Sequence, residues 1–279
     1  MSEGWASGAE RPSMEDGLQY HIRCRRGDVA RYALLPGDPE RTDVIAREWD
    51  EARLVATNRE HRTWTGTLGG TPISTCSTGM GGPSSSIAIE ELAALGADTF
   101  IRVGSCGAIQ DDIEIGDIII CSGAMRRDGT SGDYADASYP ALAHYEATLA
   151  LVEACERLDV RYHVGVVCTA ASFHPGQARP GLGGYTRSTS RHMIEDLRAA
   201  KVLGIEMEAA TIFTISGVYG LRAGAVLAVV AHRTKDALRY EGIDATIRAA
   251  NEAVKILASW DRAKEAMGKR HWHPGLLSR

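Results

Sequence analysis

The stretch DTFIRVGSCGAI, residues 98–109, begins as a buried strand and ends as something else. Phe100, Ile101 and Val103 make a nearly continuous apolar run, the mark of a strand covered on both faces. Arg102 interrupts it. A guanidinium inside such a strand is costly unless an anion meets it, so the position demands a partner. Gly104, Ser105, Cys106 and Gly107 follow. Glycine after a strand lets backbone N–H groups approach a ligand closely, and together with a hydroxyl and a guanidinium fork they suit a phosphate. A structural carboxylate is the competing partner for Arg102, and this stretch alone leaves both open.

Outward from it, other short apolar runs read as buried strands: YALLP (32–36), TPISTCST (71–78), GDIIICSG (116–123), RYHVGVVCTA (161–170) and AGAVLAVVA (223–231). Helical patterns lie between them. Pro83 opens one that runs to Leu95, with Ile87, Leu92 and Leu95 behind it. Residues 144–159 carry Tyr145, Leu149, Val152 and Cys155 along one face. Residues 206–220 end on Gly220, and Ile243 to Met267 form a long helix of mixed polarity. Strands alternating with helices predict an α/β fold, a three-layer α/β/α sandwich around a central mixed sheet. No linker, repeat or low-complexity tract divides it. The expected organisation is a polar, Gly-rich arm over 1–17, one domain over 18–267 and a tail over 268–279. In the tail, HWH offers His271 and His273 to a metal, or is a chance pair at a chain end.

Composition excludes several classes. The chain has 279 residues, 44% hydrophobic and 24% charged, with a net charge of -5. The acidic balance argues against nucleic acid as a partner. No apolar run reaches membrane-spanning length, and the first residues lack the apolar core of a signal peptide. Six scattered cysteines, none in a CxxC pair, predict buried thiols in a reducing cytoplasm.

Three more segments look unlike scaffold. LLPGDPER (34–41) ends a strand in a turn and offers Arg41, and NREHRTW (58–64) supplies Arg59 and Arg62. FHPGQARPG (173–181) crowds an aromatic ring, a carboxamide and a guanidinium between two prolines that bar a regular helix. STGMGGPSSS (77–86) looks superficially like a nucleotide loop but lacks the lysine of a P-loop.

Taken in order, LLPGDPERTDVIA, STGMGGPSSSIAIEELAALG, FIRVGSCGAIQ, FHPGQAR and IEMEAATIF resemble the nucleoside phosphorylases of the purine/uridine type, over nearly the whole chain from about His21 to Ile256. FHPGQAR resembles the uracil-specific loop of the uridine branch. The resemblance implies a single α/β domain with a distorted central sheet, assembled as dimers that often build hexamers, with the active site at the dimer interface. It implies phosphorolysis of uridine to uracil and ribose 1-phosphate, with phosphate as co-substrate and no organic cofactor. Gly37, Arg41, Arg102 and Ser105 would hold phosphate, joined by Arg59 of the neighbouring subunit. Glu206, Met207 and Glu208 would hold the ribose, with His21 reaching across the interface to the 5′-hydroxyl. Cys106, Gly107, Phe173, Gln177 and Arg179 would line the base site, with Arg233 behind them. A K+ ion at the dimer interface would fall on Glu60, the Met80 carbonyl and Ser84.

The chemistry of uracil fits that loop. Its edge presents an acceptor, a donor and an acceptor, which a carboxamide and a guanidinium complement. Donors aimed at O2 and O4 bind the charge that gathers on the leaving base. Where purine members carry an aspartate after the late strand, this chain has His232, which favours a pyrimidine. His232 reads either as a packed, hydrogen-bonded histidine or as an acid. Cys106 has no activating base nearby in sequence and is not read as a nucleophile. The alternatives are a purine or methylthioadenosine phosphorylase, and a non-catalytic nucleoside-binding protein on the same fold.

Overall fold

The computed structural model describes residues 8, 10, 12, 13 and 17–276, so most of the arm expected over 1–17 lies outside the described residues. The chain runs β1 (Tyr32–Leu35), α1 (Pro39–Ala46), β2 (Glu51–Asn58), β3 (His61–Leu68), β4 (Thr71–Cys76), α2 (Gly82–Ala94), β5 (Thr99–Ala108), β6 (Ile118–Arg127), α3 (Ser131–Tyr134), β7 (Ala141–Leu142), α4 (Tyr145–Arg157), β8 (Tyr162–Ala170), α5 (Met193–Ala199), β9 (Gly204–Glu206), α6 (Ala209–Val218), β10 (Arg222–His232), β11 (Ala237–Leu238) and α7 (Ile243–Ala266).

The described strands form one mixed sheet in the order β11-β10-β6-β8-β9-β5-β1-β4-β3-β2, with β7 on β6. β10 also pairs in parallel with β5, from Arg222 opposite Thr99 to His232 opposite Ala108. Strands β5, β10, β6, β8 and β9 therefore close into a ring, which is the distortion of an otherwise open sheet. The register slips between Val229 and Ala231, a bulge of the kind that re-aims side chains beside functional sites.

Alternation along the strands builds the three layers. Tyr32, Leu34, Ile101, Val103, Ile118, Ile120 and Val226 face α1, α4 and α7. Their neighbours Ala33, Leu35, Phe100, Ile119, Cys121, Ala225 and Leu227 face α2 and α6. Both sides being apolar explains why these strands read as continuous runs. In α4 the buried face is Ala147, Ala150, Leu151, Ala154 and Cys155, whereas Tyr145 and Leu149, expected on the inner face, are exposed. Small residues win because the helix lies close on the sheet: a Cβ at Gly224 would come within 2.9 Å of Ala147.

The six cysteines are buried and free. The stretch expected as a tail packs back on the body as far as it is described. Trp272 is buried and stacks on Trp260 with ring centroids 3.9 Å apart, and Leu276 is buried too. Apolar burial outweighs the polar residues around them. Among the described residues no group of three or more His, Cys, Asp or Glu could hold a metal, the HWH histidines included. No helix among them is long and apolar enough to cross a membrane.

Far from the ring's open end, an ion network ties the outer helices to the sheet. Lys264 Nζ lies 2.6 Å and Arg222 Nη1 3.0 Å from the Glu146 carboxylate, while Arg222 Nη2 lies 2.6 Å from Asp261. Tyr32 donates to Asp261 at 2.7 Å. Burial would raise the Glu146 carboxyl, but hydrogen bonds from Lys264 and the Trp272 N–H override it and hold the pKa at about 2, below the ordinary 4.5. Glu146→Gln is expected to destabilise the protein by about 3 kcal/mol at pH 7 in denaturant unfolding. A carboxyl whose pKa is depressed by folding contributes fully above 4.5 and loses that contribution as pH falls toward 2. The stability gap between variant and wild type should therefore narrow over that window; a constant gap would remove Glu146 from the acid response.

Candidate active site

Three strands of the ring, β5, β9 and β10, contribute to the wall of a cavity of about 580 Å³. Of the residues singled out from sequence, Gly37, Arg41, Glu60, Met80, Arg102, Ser105, Cys106, Gly107, Phe173, Gln177, Arg179, Glu206, Met207 and Glu208 line it. Asp38, Gly79, Leu238 and Tyr240 join them.

Arg102 is at the centre. It is buried within β5, and its Nε lies 2.9 Å from Glu206 Oε2 while Nη2 lies 2.6 Å from Glu208 Oε2. The anion partner that the sequence demands is thus a pair of carboxylates, before any phosphate is considered. Gly104 makes room for this: a Cβ there would come within 2.7 Å of the Arg102 guanidinium and of Leu227. The two glutamates differ in kind. Glu206 ends β9, and its carboxylate also accepts the N–H groups of Glu208 (2.8 Å) and Ala209 (2.9 Å) and the Thr169 hydroxyl. So satisfied, it anchors the start of α6 and the Arg102 fork. Glu208 takes the N–H of Gly81 at 2.5 Å and keeps acceptor capacity toward the cavity. Burial pushes its pKa above the ordinary 4.5, Arg102 pulls down and Glu206 pushes up.

LLPGDPER folds as strand, turn and helix. Asp38 caps α1 by accepting the Glu40 N–H at 2.9 Å, and Pro39 opens the helix. That first turn delivers Arg41, whose Nη1 donates to the Val103 carbonyl (3.1 Å) and Nη2 to the Tyr240 hydroxyl (2.8 Å). Gly37 sits so close to the 79–81 loop that a Cβ would lie 3.1 Å from the Gly79 carbonyl oxygen.

On the opposite wall, FHPGQAR makes one 3₁₀ turn over Pro175–Gln177, after which Ala178 adopts a left-handed φ of 55°. That conformation costs an L-residue about 1 kcal/mol. It returns Arg179 over the Phe173 ring, 3.9 Å from guanidinium carbon to centroid, and onto the carbonyl oxygen of the Gln177 side chain. Arg233 donates to the Gln177 main-chain carbonyl at 2.9 Å, and its stem packs on Gly107. Among the described residues neither Arg179 nor Arg233 has a salt-bridge partner. Burial, then the Arg233 charge, pulls the Arg179 pKa down to about 10. Arg179, on the cavity lining, is left with no carboxylate partner, while Arg233 has the charge of Asp236 nearby.

His232 does not line the cavity. It is buried, with Nδ1 3.3 Å from the Lys235 N–H and Nε2 3.1 Å from the Gln110 carbonyl. Those partners fix the neutral tautomer with the proton on Nε2, the packed histidine of the two readings. Burial, then Glu206, raises the Cys106 thiol, so it stays protonated. His21, Arg59 and Arg233 stand outside the cavity lining. His21 Nδ1 lies 2.7 Å from Glu91, and Arg59, at the turn between β2 and β3, has its guanidinium 5.7 Å from the Tyr20 ring. Ser84 reaches the cavity's edge through Glu60, at 2.7 Å. Sequence reasoning missed Tyr240, Thr169 and the Gly81 N–H. Thr169 and Gly81 lie in segments already flagged as strand and loop, but nothing in TKDALRYEG marks Tyr240 as an Arg41 partner.

A guanidinium, hydroxyl and glycine floor, a carboxylate pair beside it and an amide-guanidinium wall can hold an oxyanion, a polyol and a flat ring with amide-like edges. Known proteins agree in kind. A uridine phosphorylase of Thermococcus kodakarensis is 59% identical over 268 residues, covering 96% of this chain and 97% of that protein. The uridine phosphorylase of Escherichia coli is 42% identical over 77% of this chain and 87% of its own length. A guanosine phosphorylase of Halorubrum lacusprofundi is 41% identical over 76% of this chain and 82% of its own. A sequence model described as the phosphorylase superfamily matches residues 31–259, and with that match and these relatives the chain belongs to the phosphorylase superfamily.

Proposed function

We propose that this chain is a uridine phosphorylase, cleaving uridine with phosphate to uracil and ribose 1-phosphate, reversibly. The observation that carries the reading is the convergence of Gln177, Arg179 and Phe173 with Arg41, Ser105 and Glu208 on one 580 Å³ cavity. The Gln177 side-chain carbonyl, engaged by Arg179, has a second lone pair for uracil N3–H, while its amide donates to O2 and Arg179 to O4. Phosphate lies on Gly37, Arg41, Arg102 and Ser105. Glu208 accepts from the ribose hydroxyls. Met207 packs beside the sugar, and Glu206 holds Arg102 in place.

Catalysis is then a matter of charge. As the glycosidic bond stretches, negative charge moves onto uracil, where Arg179 lacks a carboxylate partner, and positive charge builds on the ribose. Phosphate offsets the latter and attacks the anomeric carbon, so no covalent enzyme intermediate is needed. Against a purine reading, His232 stands off the cavity lining with both ring nitrogens hydrogen-bonded to the main chain, out of reach of a purine ring there.

The cavity is completed by a second copy. His21 and Arg59 stand off this chain's own lining, which supports their serving the partner's site across a dimer interface. The Glu60 carboxylate and Ser84 hydroxyl stand together, oxygen ligands that suit a hard monovalent cation such as K+, with the Met80 carbonyl and a symmetric set completing it. The free buried cysteines are in keeping with work in the cytoplasm.

Uracil release from uridine should require phosphate, and equal rates with and without it would reject phosphorolysis. Arg179→Ala is expected to lower kcat/KM for uridine by about 10²-fold with little change in KM for phosphate; equal turnover would count against its role at the base. Because the Glu208 pKa is raised, kcat/KM in wild type should fall on acidification at a pH above 4.5. Glu208→Gln should lower the plateau and abolish that limb, as a pH profile of uridine turnover will read.

A further inference from the structure

We infer that Tyr240 is part of the phosphate subsite: its hydroxyl accepts from Arg41 and donates to a phosphate oxygen. The inference rests on the phosphorolysis reading and adds to it a residue from the 233–242 segment.

The chemistry follows from one hydrogen bond. Arg41 Nη2 lies 2.8 Å from the Tyr240 oxygen. A guanidinium only donates, so the tyrosine must accept, and its own proton remains to be given. Among the described residues no acceptor takes that proton. The companion nitrogen of Arg41 is spent on the Val103 carbonyl, which fixes the fork while leaving further N–H groups for an oxyanion. Guanidinium and phenol together thus present parallel donors.

The direction is set by charge. Asp38, Arg41 and Tyr240 stand between two cavities. The outer one, of about 520 Å³, also carries Glu40, Glu241 and Asp244, which repel an anion. The inner one also carries Glu60, Glu206 and Glu208, but Arg102 pairs with the last two, and Arg179 and the Ser105 hydroxyl add donors that the outer one lacks. The inner side therefore suits phosphate better than the outer.

The segment bearing Tyr240 is built to respond. β11 pairs with β10 through just Ala231–Leu238 and His232–Ala237. Gly242 follows at φ +80°, tight against Gly116, where a Cβ would lie 2.8 Å from the carbonyl oxygen. Between that weak pairing and that fixed point, Leu238 and Tyr240 line the cavity while remaining mostly exposed.

The test is Tyr240→Phe, which keeps the ring and removes the hydroxyl. Steady-state uridine phosphorolysis and calorimetric titration with inorganic phosphate are read on wild type and variant. The variant should show KM and Kd for phosphate raised on the order of tenfold, with KM for uridine unchanged. Mere loosening of the segment would raise KM for uridine as well, because Leu238, Val230 and Ala231 line the same cavity, and that outcome overturns the inference. So does a variant that binds phosphate as wild type does while wild type requires it. A wild type that neither binds nor needs phosphate rejects the phosphorolysis reading and this inference with it.

Discussion

The buried triad of Arg102, Glu206 and Glu208 is the constraint from which the site is built. A cation in the middle of a strand at the closed ring must be compensated, and unpaired it would cost more than the surrounding apolar contacts return. Two carboxylates do this, and each is tied to another element: Glu206 to Thr169 of β8 and the first N–H groups of α6, Glu208 to the 79–81 loop. One guanidinium thereby registers β5, β8, β9, α6 and a glycine loop against one another. The Arg102 fork is held against both carboxylates before any ligand enters, so it needs no reorganisation when a ligand arrives.

That economy explains which parts were legible in the sequence. Strands β1, β5, β6 and β10 were plain because both faces are apolar, in the runs around Leu34, Ile101, Ile119 and Val226. The short β9 was not, and its Glu206 was read into the helix that in fact begins at Ala209. The hairpin of β2 and β3 went unseen, since its strands are half-exposed and polar, with Arg53, Arg62 and several threonines breaking any alternation. The inner face of α4 was misassigned for a related reason: alanines carry little periodic signal, yet they are what a tightly seated helix buries. Trp272 and Leu276 were overlooked among basic residues.

The site divides the same way. Residues that sit in compact motifs, such as Arg41, Arg102, Gln177 and Arg179, were recovered because glycine and proline punctuate them. Their pairings were not. Sequence could say that Arg102 required an anion but not that two carboxylates from one short segment, 104 and 106 residues further on, would supply it. Tyr240 lies in a stretch with no periodicity and matters only through a contact 199 residues away in the chain.

The ring itself has a consequence for how such proteins diversify. Phe173, Gln177 and Arg179 reach the cavity from the 173–181 loop, which lies outside the closed set of strands, whereas Arg102, Ser105 and Glu206 reach it from β5 and β9 within that set. The loop is therefore mechanically separable from the strands. A lineage can rewrite such an appendage while the ring stays untouched, and relatives named for uridine and for guanosine stand at similar identity to this chain, 42% and 41%.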